Sequence, residues 1–119
     1  SNNYLSKFPV YFLQMNNLKE VFIGNNNIKE ISSNTTNTTI ETLDLSNNEL
    51  TRFSTVAMNF QNLQYLNLSG NYDLERIHIE KGHFLNLKEL NIKYTELAED
   101  SKRIDELYKL LPSDVKIIY

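Results

Sequence analysis

The sequence predicts a solenoid of the α/β class, in which similar coils of chain stack along one axis. An asparagine recurs at positions 3, 26, 48 and 71, at intervals of 23, 22 and 23 residues. The same pattern of apolar residues surrounds most of these positions, and a segment with helical periodicity follows the last copy. A repeat of this length is typical of proteins in which each unit buries its apolar face against its neighbours.

Four copies of the apolar frame predict one short strand each. The copies consist of Leu18, Val21, Ile23, Asn26 and Ile28; Ile40, Leu43, Leu45, Asn48 and Leu50; Leu63, Leu66, Leu68, Asn71 and Leu74; and Leu87, Leu90, Ile92, Thr95 and Leu97. Apolar and polar residues alternate in the first half of each copy, as in a strand with one buried face. The asparagine ends the strand, because its side chain can bond backbone groups that the turn leaves unpaired. Thr95 has no amide, so we expect this bonding to weaken in the fourth copy.

The copies read LxxLxLxxNxL, and from Asn3 to Leu97 the chain resembles the leucine-rich repeat family. The resemblance implies a right-handed, curved solenoid with a short parallel β-sheet on its concave side. It implies irregular or short helical segments on the convex side.

The spacing of the phenylalanines narrows this resemblance. Phe60 and Phe84 each stand three residues before a frame leucine, and Met15 holds the same place in the first copy. With coils of 22 to 24 residues, this pattern is similar to the typical subclass, which is common in secreted and cell-surface proteins of animals. Asn37 departs from the pattern within a polar run, residues 32–39, so we expect a loop there with little core of its own.

The length suits a single domain, residues 1–119. We expect a partial N-terminal repeat over residues 1–17, four repeats over 18–97 and a C-terminal cap over 98–119. At the N-terminus, we expect large side chains to cover the first strand or to face a preceding coil; they are Tyr4, Phe8, Phe12 and Leu13.

The C-terminal segment predicts a capping helix followed by a last strand. Glu99 and Asp100 precede the helix, and Pro112 ends it. The apolar residues spaced to lie on one helical face are Ile104, Leu107, Tyr108 and Leu111. Val115, Ile117 and Ile118 predict a short strand that extends the sheet.

The family resemblance implies a protein-binding site on the concave face. The strand and turn residues that would point outward there are Glu20, Phe22, Asn25, Thr42, Asp44, Tyr65, Asn67, Glu89, Asn91, Lys93 and Tyr94. Phe22 is an apolar ring at a position that faces solvent, and Tyr65 and Tyr94 are of a type enriched in interfaces, although single surface aromatics are also ordinary. Five strands give a projected face of about 360 Å², well below the ~800 Å² per partner of a standard interface. We therefore expect either a longer array or a module of modest affinity.

Composition argues against several other classes of function. The net charge is −3 without a basic run, which disfavours binding to nucleic acid. No apolar stretch is long enough to span a membrane. His78 and His83 lack companions at metal-ligand spacing, and Asp73, Glu75 and Glu80 fit a solvated loop better than a catalytic pair. We therefore expect no enzyme activity and no cofactor.

The predicted function is recognition of a protein partner by a secreted or cell-surface protein, of innate-immune or adhesion type, as a monomer or an edge-associated dimer. Possible glycosylation sites are Asn34, Asn37 and Asn67, although a composition this rich in asparagine, serine and threonine yields about as many sites by chance. The alternatives are an intracellular (cytoplasmic) adaptor or regulatory subunit, which the absence of cysteine also fits, and an accessory domain of a larger enzyme.

Overall fold

The computed structural model describes residues 4–8, 17–31, 35–56 and 58–119. Within these ranges the chain forms short strands of three residues and one α-helix, α1 (Ser101–Leu110). The strands are β1 (Glu20–Phe22), β2 (Thr35–Asn37), β3 (Thr42–Asp44), β4 (Arg52–Ser54), β5 (Met58–Phe60), β6 (Tyr65–Asn67), β7 (Arg76–His78), β8 (Glu89–Asn91) and β9 (Lys116–Ile118).

The main sheet is parallel and takes one strand from each coil, in the order β1–β3–β6–β8–β9. Its central row consists of Val21, Leu43, Leu66, Leu90 and Ile117, which lie side by side and are all buried. Because side chains alternate between the two faces of a strand, the residues on either side of this row point away from the core. The predicted strand in every frame, and the terminal strand after the helix, are therefore confirmed.

The core is a continuous stack of the frame residues. Leu43, Leu45 and Leu50 are 0% exposed, and the same frame positions are buried in the neighbouring coils. Phe60 and Phe84 fill the space behind the frames, and the ring of Phe84 lies 6.2 Å from that of Phe53. Burial of a side chain of this size contributes roughly 1.5–3 kcal/mol, so the stacking of apolar residues between coils is the main source of stability. Met15 lies outside the described residues.

Two further strand pairs lie apart from the main sheet, β2 with β5 and β4 with β7, both parallel. The prediction of a loop at the polar run is therefore wrong over Thr35–Asn37. Asn37 pairs with Phe60 in the β2–β5 register and is buried. Its Oδ1 accepts the backbone N–H groups of Thr39 and Ile40, both at 2.7 Å. A polar side chain takes the place of phenylalanine here because it satisfies two backbone donors that the turn would leave unpaired.

The asparagine column joins consecutive coils as expected. The Nδ2 of Asn48 donates to the carbonyl oxygens of Leu45 at 3.0 Å and of Ile23, in the preceding coil, at 3.1 Å. Its Oδ1 accepts the N–H of Ile28, also in the preceding coil, at 3.0 Å. Asn71 repeats this arrangement one coil later, where its Oδ1 accepts the N–H of Leu50 at 3.0 Å. Asn3 lies outside the described residues.

Among the described residues, the side chain of Thr95 bonds only to backbone groups three residues away. Its Oγ1 donates to the carbonyl oxygen of Ile92 at 2.6 Å and accepts the N–H of Ala98 at 3.2 Å. The bonding between coils therefore weakens at this position, as predicted.

The C-terminal helix begins where the sequence predicts. Asp100 is its N-cap, and its carboxylate accepts the N–H groups of Lys102 and Arg103. Ile104 and Leu107 are buried in the core, and Leu111 follows them as the C-cap. Tyr108 does not belong to the buried face, since 43% of it is exposed. The capping role of α1 and the handedness of the coils stay predictions.

At the N-terminus, Phe8 is buried in the core cluster, but Tyr4 is 94% exposed, so the prediction that Tyr4 covers the first strand is wrong. Phe12 and Leu13 lie outside the described residues. The N–H of Asn27 donates to the carbonyl oxygen of Leu5 at 2.8 Å, which attaches this segment to the first complete coil.

Candidate functional site

The candidate site is the outer sheet face, defined as the face of the main sheet that points away from the core. Its residues are Glu20, Phe22, Thr42, Asp44, Tyr65, Asn67, Glu89, Asn91, Lys116 and Ile118. The structure brings eight of the eleven predicted residues together on this face, two each from β1, β3, β6 and β8. The remaining three, Asn25, Lys93 and Tyr94, lie in the turns that follow β1 and β8.

Two aromatic rings dominate the apolar surface of the outer sheet face. Phe22 is 56% exposed and Tyr65 is 42% exposed. They share the lining of a shallow depression of about 210 Å³, whose polar lining comes from Thr42, Asp44, Asn67, Glu89 and Asn91. The depression offers apolar contact from the rings and hydrogen-bonding groups from the strands between them.

In one row of the outer sheet face, side chains form hydrogen bonds to the backbone of their own turns. The Oδ1 atoms of Asp44, Asn67 and Asn91 accept backbone N–H groups two residues later, at 2.8, 3.0 and 3.0 Å respectively. These repeated side-chain turns shape the chain as it leaves each strand. Phe22 occupies the equivalent place in β1 and cannot make this turn. Its ring therefore serves no such turn, whereas its three neighbours in the row are partly committed to the fold.

A second regularity lies just beyond the strands and is not apparent from the apolar frame. The residue before each column position has a positive φ: 57° at Asn25, 53° at Asn47, 73° at Gly70 and 60° at Tyr94. Asparagine and glycine tolerate this left-handed conformation, but a tyrosine there is strained. The recurrence of Asn and Gly just before the column position is the sequence feature that indicates this turn. It does not predict a left-handed conformation for Tyr94.

Gly70 has an additional reason to be glycine. A Cβ at this position would lie 2.0 Å from Oδ1 of Asn47 in the preceding coil. Asn47 in turn donates from Nδ2 to Oδ1 of Asn25 at 3.2 Å. The turns of successive coils are thus in direct contact along the edge of the outer sheet face.

The charge on the outer sheet face is mixed, with an acidic excess. Glu20, Asp44 and Glu89 are acidic, and Lys116 is basic. Next to the face, Nζ of Lys93 lies 5.4 Å from the centroid of the Tyr94 ring, within the range of a cation–π contact.

The three possible glycosylation sites have different surroundings. Asn34 lies outside the described residues. Asn37 is 7% exposed and its Oδ1 accepts two backbone N–H groups, so its amide nitrogen has little space for a glycan. Asn67 is half-buried on the outer sheet face, and its Oδ1 accepts from Ser69, so a glycan there would cover the face itself.

The histidines and acidic residues for which the sequence predicted no catalytic role form no reactive cluster in the described part of the chain. His78 is exposed, with Nε2 at 3.7 Å from a carboxylate oxygen of Glu80. Asp73 and Glu75 line an open groove of about 580 Å³ together with Arg52 and Arg76, so their charges are mixed with basic ones. None of the described His, Asp and Glu side chains forms a group that could hold a metal ion. No helix within the described ranges is long and apolar enough to cross a membrane.

Comparisons with known proteins agree with the geometry of the coils. The family model described as leucine rich repeat matches residues 16–72, which include three column asparagines. Neither a curated protein nor a solved structure matches the chain. Beyond the matched segment, β8 and β9 continue the same sheet in the same register. Residues 16–72 therefore form a leucine-rich repeat region.

Proposed function

We propose that the outer sheet face binds a protein partner and that the chain is a recognition module without catalytic activity of its own. The family is typical of protein-interaction modules, and this supports the general class. The observation that carries the proposal for this face is the exposure of Phe22 and Tyr65 on either side of a polar depression. A few residues carry most of the binding energy in a typical protein interface, and tyrosine is enriched among them.

The arrangement favours one partner segment that lies across the strands. Phe22 is on β1 and Tyr65 is on β6, with β3 between them. A segment crossing β3 could cover both rings and reach Thr42 and Glu89 with its polar groups. Since the face is smaller than a standard interface, we propose a modest affinity for this chain alone, or a partner that also covers the turns beyond the strands.

The double substitution Phe22→Ala with Tyr65→Ala tests the proposal. Peptides that bind the native chain would be selected from a random display library, and their dissociation constants measured for both proteins by biolayer interferometry. We expect the double variant to bind at least about tenfold more weakly, because truncation of two anchors removes apolar contact at the centre of the site. The melting temperature should barely change, since both side chains are already exposed.

A matched control separates this site from general surface hydrophobicity. Val56 and Leu85 are 52% and 68% exposed and lie outside the strands of the main sheet. The variant Val56→Ala with Leu85→Ala should keep the affinity of the native chain. Unchanged binding by the Phe22 and Tyr65 variant, or equal loss in the control, would remove the outer sheet face from consideration.

We also propose that the protein acts in a secreted or cell-surface context, in innate immunity or adhesion. The support is the resemblance to the typical subclass, whose phenylalanine positions are buried here at Phe60 and Phe84. The gene itself provides the check. A secretion signal ahead of this segment would support the proposal, whereas a parent protein without one would favour an intracellular adaptor. A catalytic domain joined to either end would favour an accessory role, and sedimentation would distinguish a monomer from an edge-associated dimer.

A further inference from the structure

A further concave feature lies beside the turn that follows β8. It is a cleft of about 390 Å³, lined by Tyr72, Tyr94, Thr95, Glu96 and Glu99. Tyr72 is 73% exposed and Tyr94 is 66% exposed, so both rings present most of their surface to solvent. None of the five belongs to the outer sheet face, and the cleft is therefore a separate site.

The two carboxylates of the cleft have no partner of their own. In the described part of the chain, neither Glu96 nor Glu99 forms an ion pair or a side-chain hydrogen bond. No lysine or arginine lines the cleft. The N–H of Glu96 donates to the carbonyl oxygen of Tyr72 at 3.0 Å, and this bond holds the two walls of the cleft together. The residues that line the cleft thus carry a net negative charge, and a backbone hydrogen bond joins its two walls.

A tyrosine, Tyr94, occupies the left-handed turn position of this coil, and its ring is exposed. Its φ of 60° is left-handed, where earlier coils have Asn25, Asn47 and Gly70. This conformation costs a tyrosine about 1 kcal/mol or more. The ring gains no burial in return, because it is mostly exposed. Among the described residues, Lys93 forms a cation–π contact with this ring, with Nζ at 5.4 Å from its centroid.

We propose that this cleft binds an arginine side chain of a protein partner. The planar guanidinium ion can lie against a tyrosine ring and pair with a carboxylate at the same time, which an ammonium ion does less well. Tyr72 and Tyr94 would supply the ring faces, and Glu96 and Glu99 the opposite charge. The proposal does not depend on the outer sheet face, because none of its residues lies there.

The test uses the full chain and a defined probe. A short capped peptide with two arginine residues would be titrated into ¹⁵N-labelled protein, and a peptide with citrulline in place of arginine would serve as the neutral counterpart. We expect saturable shifts of the amide signals of Tyr72, Tyr94, Glu96 and Glu99 with the arginine peptide only. Citrulline has the same shape but no charge, so it should leave these signals in place.

Substitutions separate a built site from general attraction to an acidic protein. Tyr72→Ser keeps every charge, and Glu96→Gln with Glu99→Gln keeps both rings. Each variant should raise the dissociation constant of the peptide at least about fivefold, since both ring and charge contribute to binding. Tyr94→Asn should do the same and should fold at least as well as the native chain, because asparagine tolerates the left-handed turn.

The matched control lies on α1, where Tyr108 and Glu106 are also exposed. The variant Tyr108→Ser with Glu106→Gln should change the dissociation constant less than twofold. Three outcomes would overturn the proposal. They are shifts that spread over all acidic residues, shifts that map to Glu20 and Glu89 instead, and full binding by Tyr72→Ser and Tyr94→Asn.

Discussion

The structure links two irregularities that the sequence shows separately at the level of single residues. The third frame has one extra residue between Asn71 and Leu74, and the fourth frame has Thr95 in place of asparagine. In the regular coils, the N–H of Ile28 or Leu50 bonds to the asparagine of the next coil. The longer turn lets the N–H of Leu74 bond to the carbonyl oxygen of Asn71 at 3.0 Å instead. The N–H of Leu74 then needs no acceptor at position 95, and a hydroxyl is sufficient there.

This difference predicts unequal costs for two substitutions in the column. Asn71→Ala should lower the free energy of unfolding by about 3 kcal/mol, because it leaves the buried N–H of Leu50 without its acceptor and removes two donated bonds. Thr95→Ala should cost about 1 kcal/mol, since only bonds near its own turn are lost. Urea denaturation measures both values.

The exposed Asn27 provides the control for these measurements, and Asn27→Ala should change the free energy of unfolding by less than about 0.5 kcal/mol. Equal losses for Asn71→Ala and Thr95→Ala would show that the column does not join the coils in the way described.

For single residues, the prediction from sequence failed where the conformation or contact of a residue does not follow from its type. The burial of the frame positions could be predicted because apolar residues at this regular spacing pack in the core. The backbone strain at Tyr94 could not, since no sequence pattern places a tyrosine in a left-handed turn. Phe22 was predicted to be exposed from its frame position alone, and its exposed fraction of 56% agrees.

The elements of the main sheet were predictable, but the strand pairs apart from it were not. Each strand of the main sheet has an apolar central residue that marks it, such as Leu43 in β3. The described end of β2 is marked instead by Asn37, whose polar character indicated a loop. From sequence alone, a buried polar residue that accepts backbone N–H groups of a turn cannot be distinguished from an exposed polar residue. The helix was predicted well because its cap, Asp100, and its apolar stripe agree.

Asn37 therefore offers a test of whether β2 contributes to stability. Asn37→Ala should lower the free energy of unfolding by about 2 kcal/mol, because the N–H groups of Thr39 and Ile40 lose their acceptor. Thr38→Ala, at an exposed neighbour, should have little effect when measured by the same thermal or urea denaturation. If the two variants are equally stable, the segment is a loop after all in energetic terms.

The whole molecule behaves as a one-dimensional stack, because each strand of the main sheet pairs only with its neighbours. The inner coils are covered on both sides, whereas the outer coils have fewer contacts. The core reflects this, since Leu45 and Leu68 are 0% exposed while Leu5 is only partly buried. Stability should therefore fall from the inner coils toward the N-terminal segment.

Native-state hydrogen exchange measures this gradient. The N–H of Leu45 donates to the backbone carbonyl oxygen of Asn67, and that of Leu68 donates to the backbone carbonyl oxygen of Asn91. Both distances are 2.8 Å, and both bonds join inner coils. The N–H of Leu5 bonds to Oδ1 of Asn26 at 3.2 Å in the segment that precedes the first complete coil. We expect Leu45 and Leu68 to be protected at least about a hundredfold more than Leu5, because local opening is easiest at poorly covered segments. Uniform protection would mean that the stack opens only as one unit.

The same scale explains how far function could be predicted. The repeat placed eight predicted residues on one face, because the register of a parallel sheet carries equivalent positions into rows. It could not show that Asp44, Asn67 and Asn91 are engaged in turns, or that Tyr72 and Tyr94 line a cleft together. The first fact depends on side-chain hydrogen bonds within each turn and the second on the contact between two coils, and a one-dimensional pattern contains neither.

The direction of the asparagine bonds makes the stack polar, in the sense that its two ends are not equivalent. Asn26, Asn48 and Asn71 each accept an N–H from the chain segment one coil earlier. Loss of a preceding coil leaves an asparagine with an idle oxygen, which water can satisfy. Loss of a following coil leaves a buried N–H without an acceptor, which is the costlier defect. Over generations of duplication and deletion, a repeat array of this type should therefore gain and lose coils more readily ahead of a regular coil than behind it. At a turn like that of Leu74, the N–H bonds within its own turn, so it needs no column asparagine in the following coil.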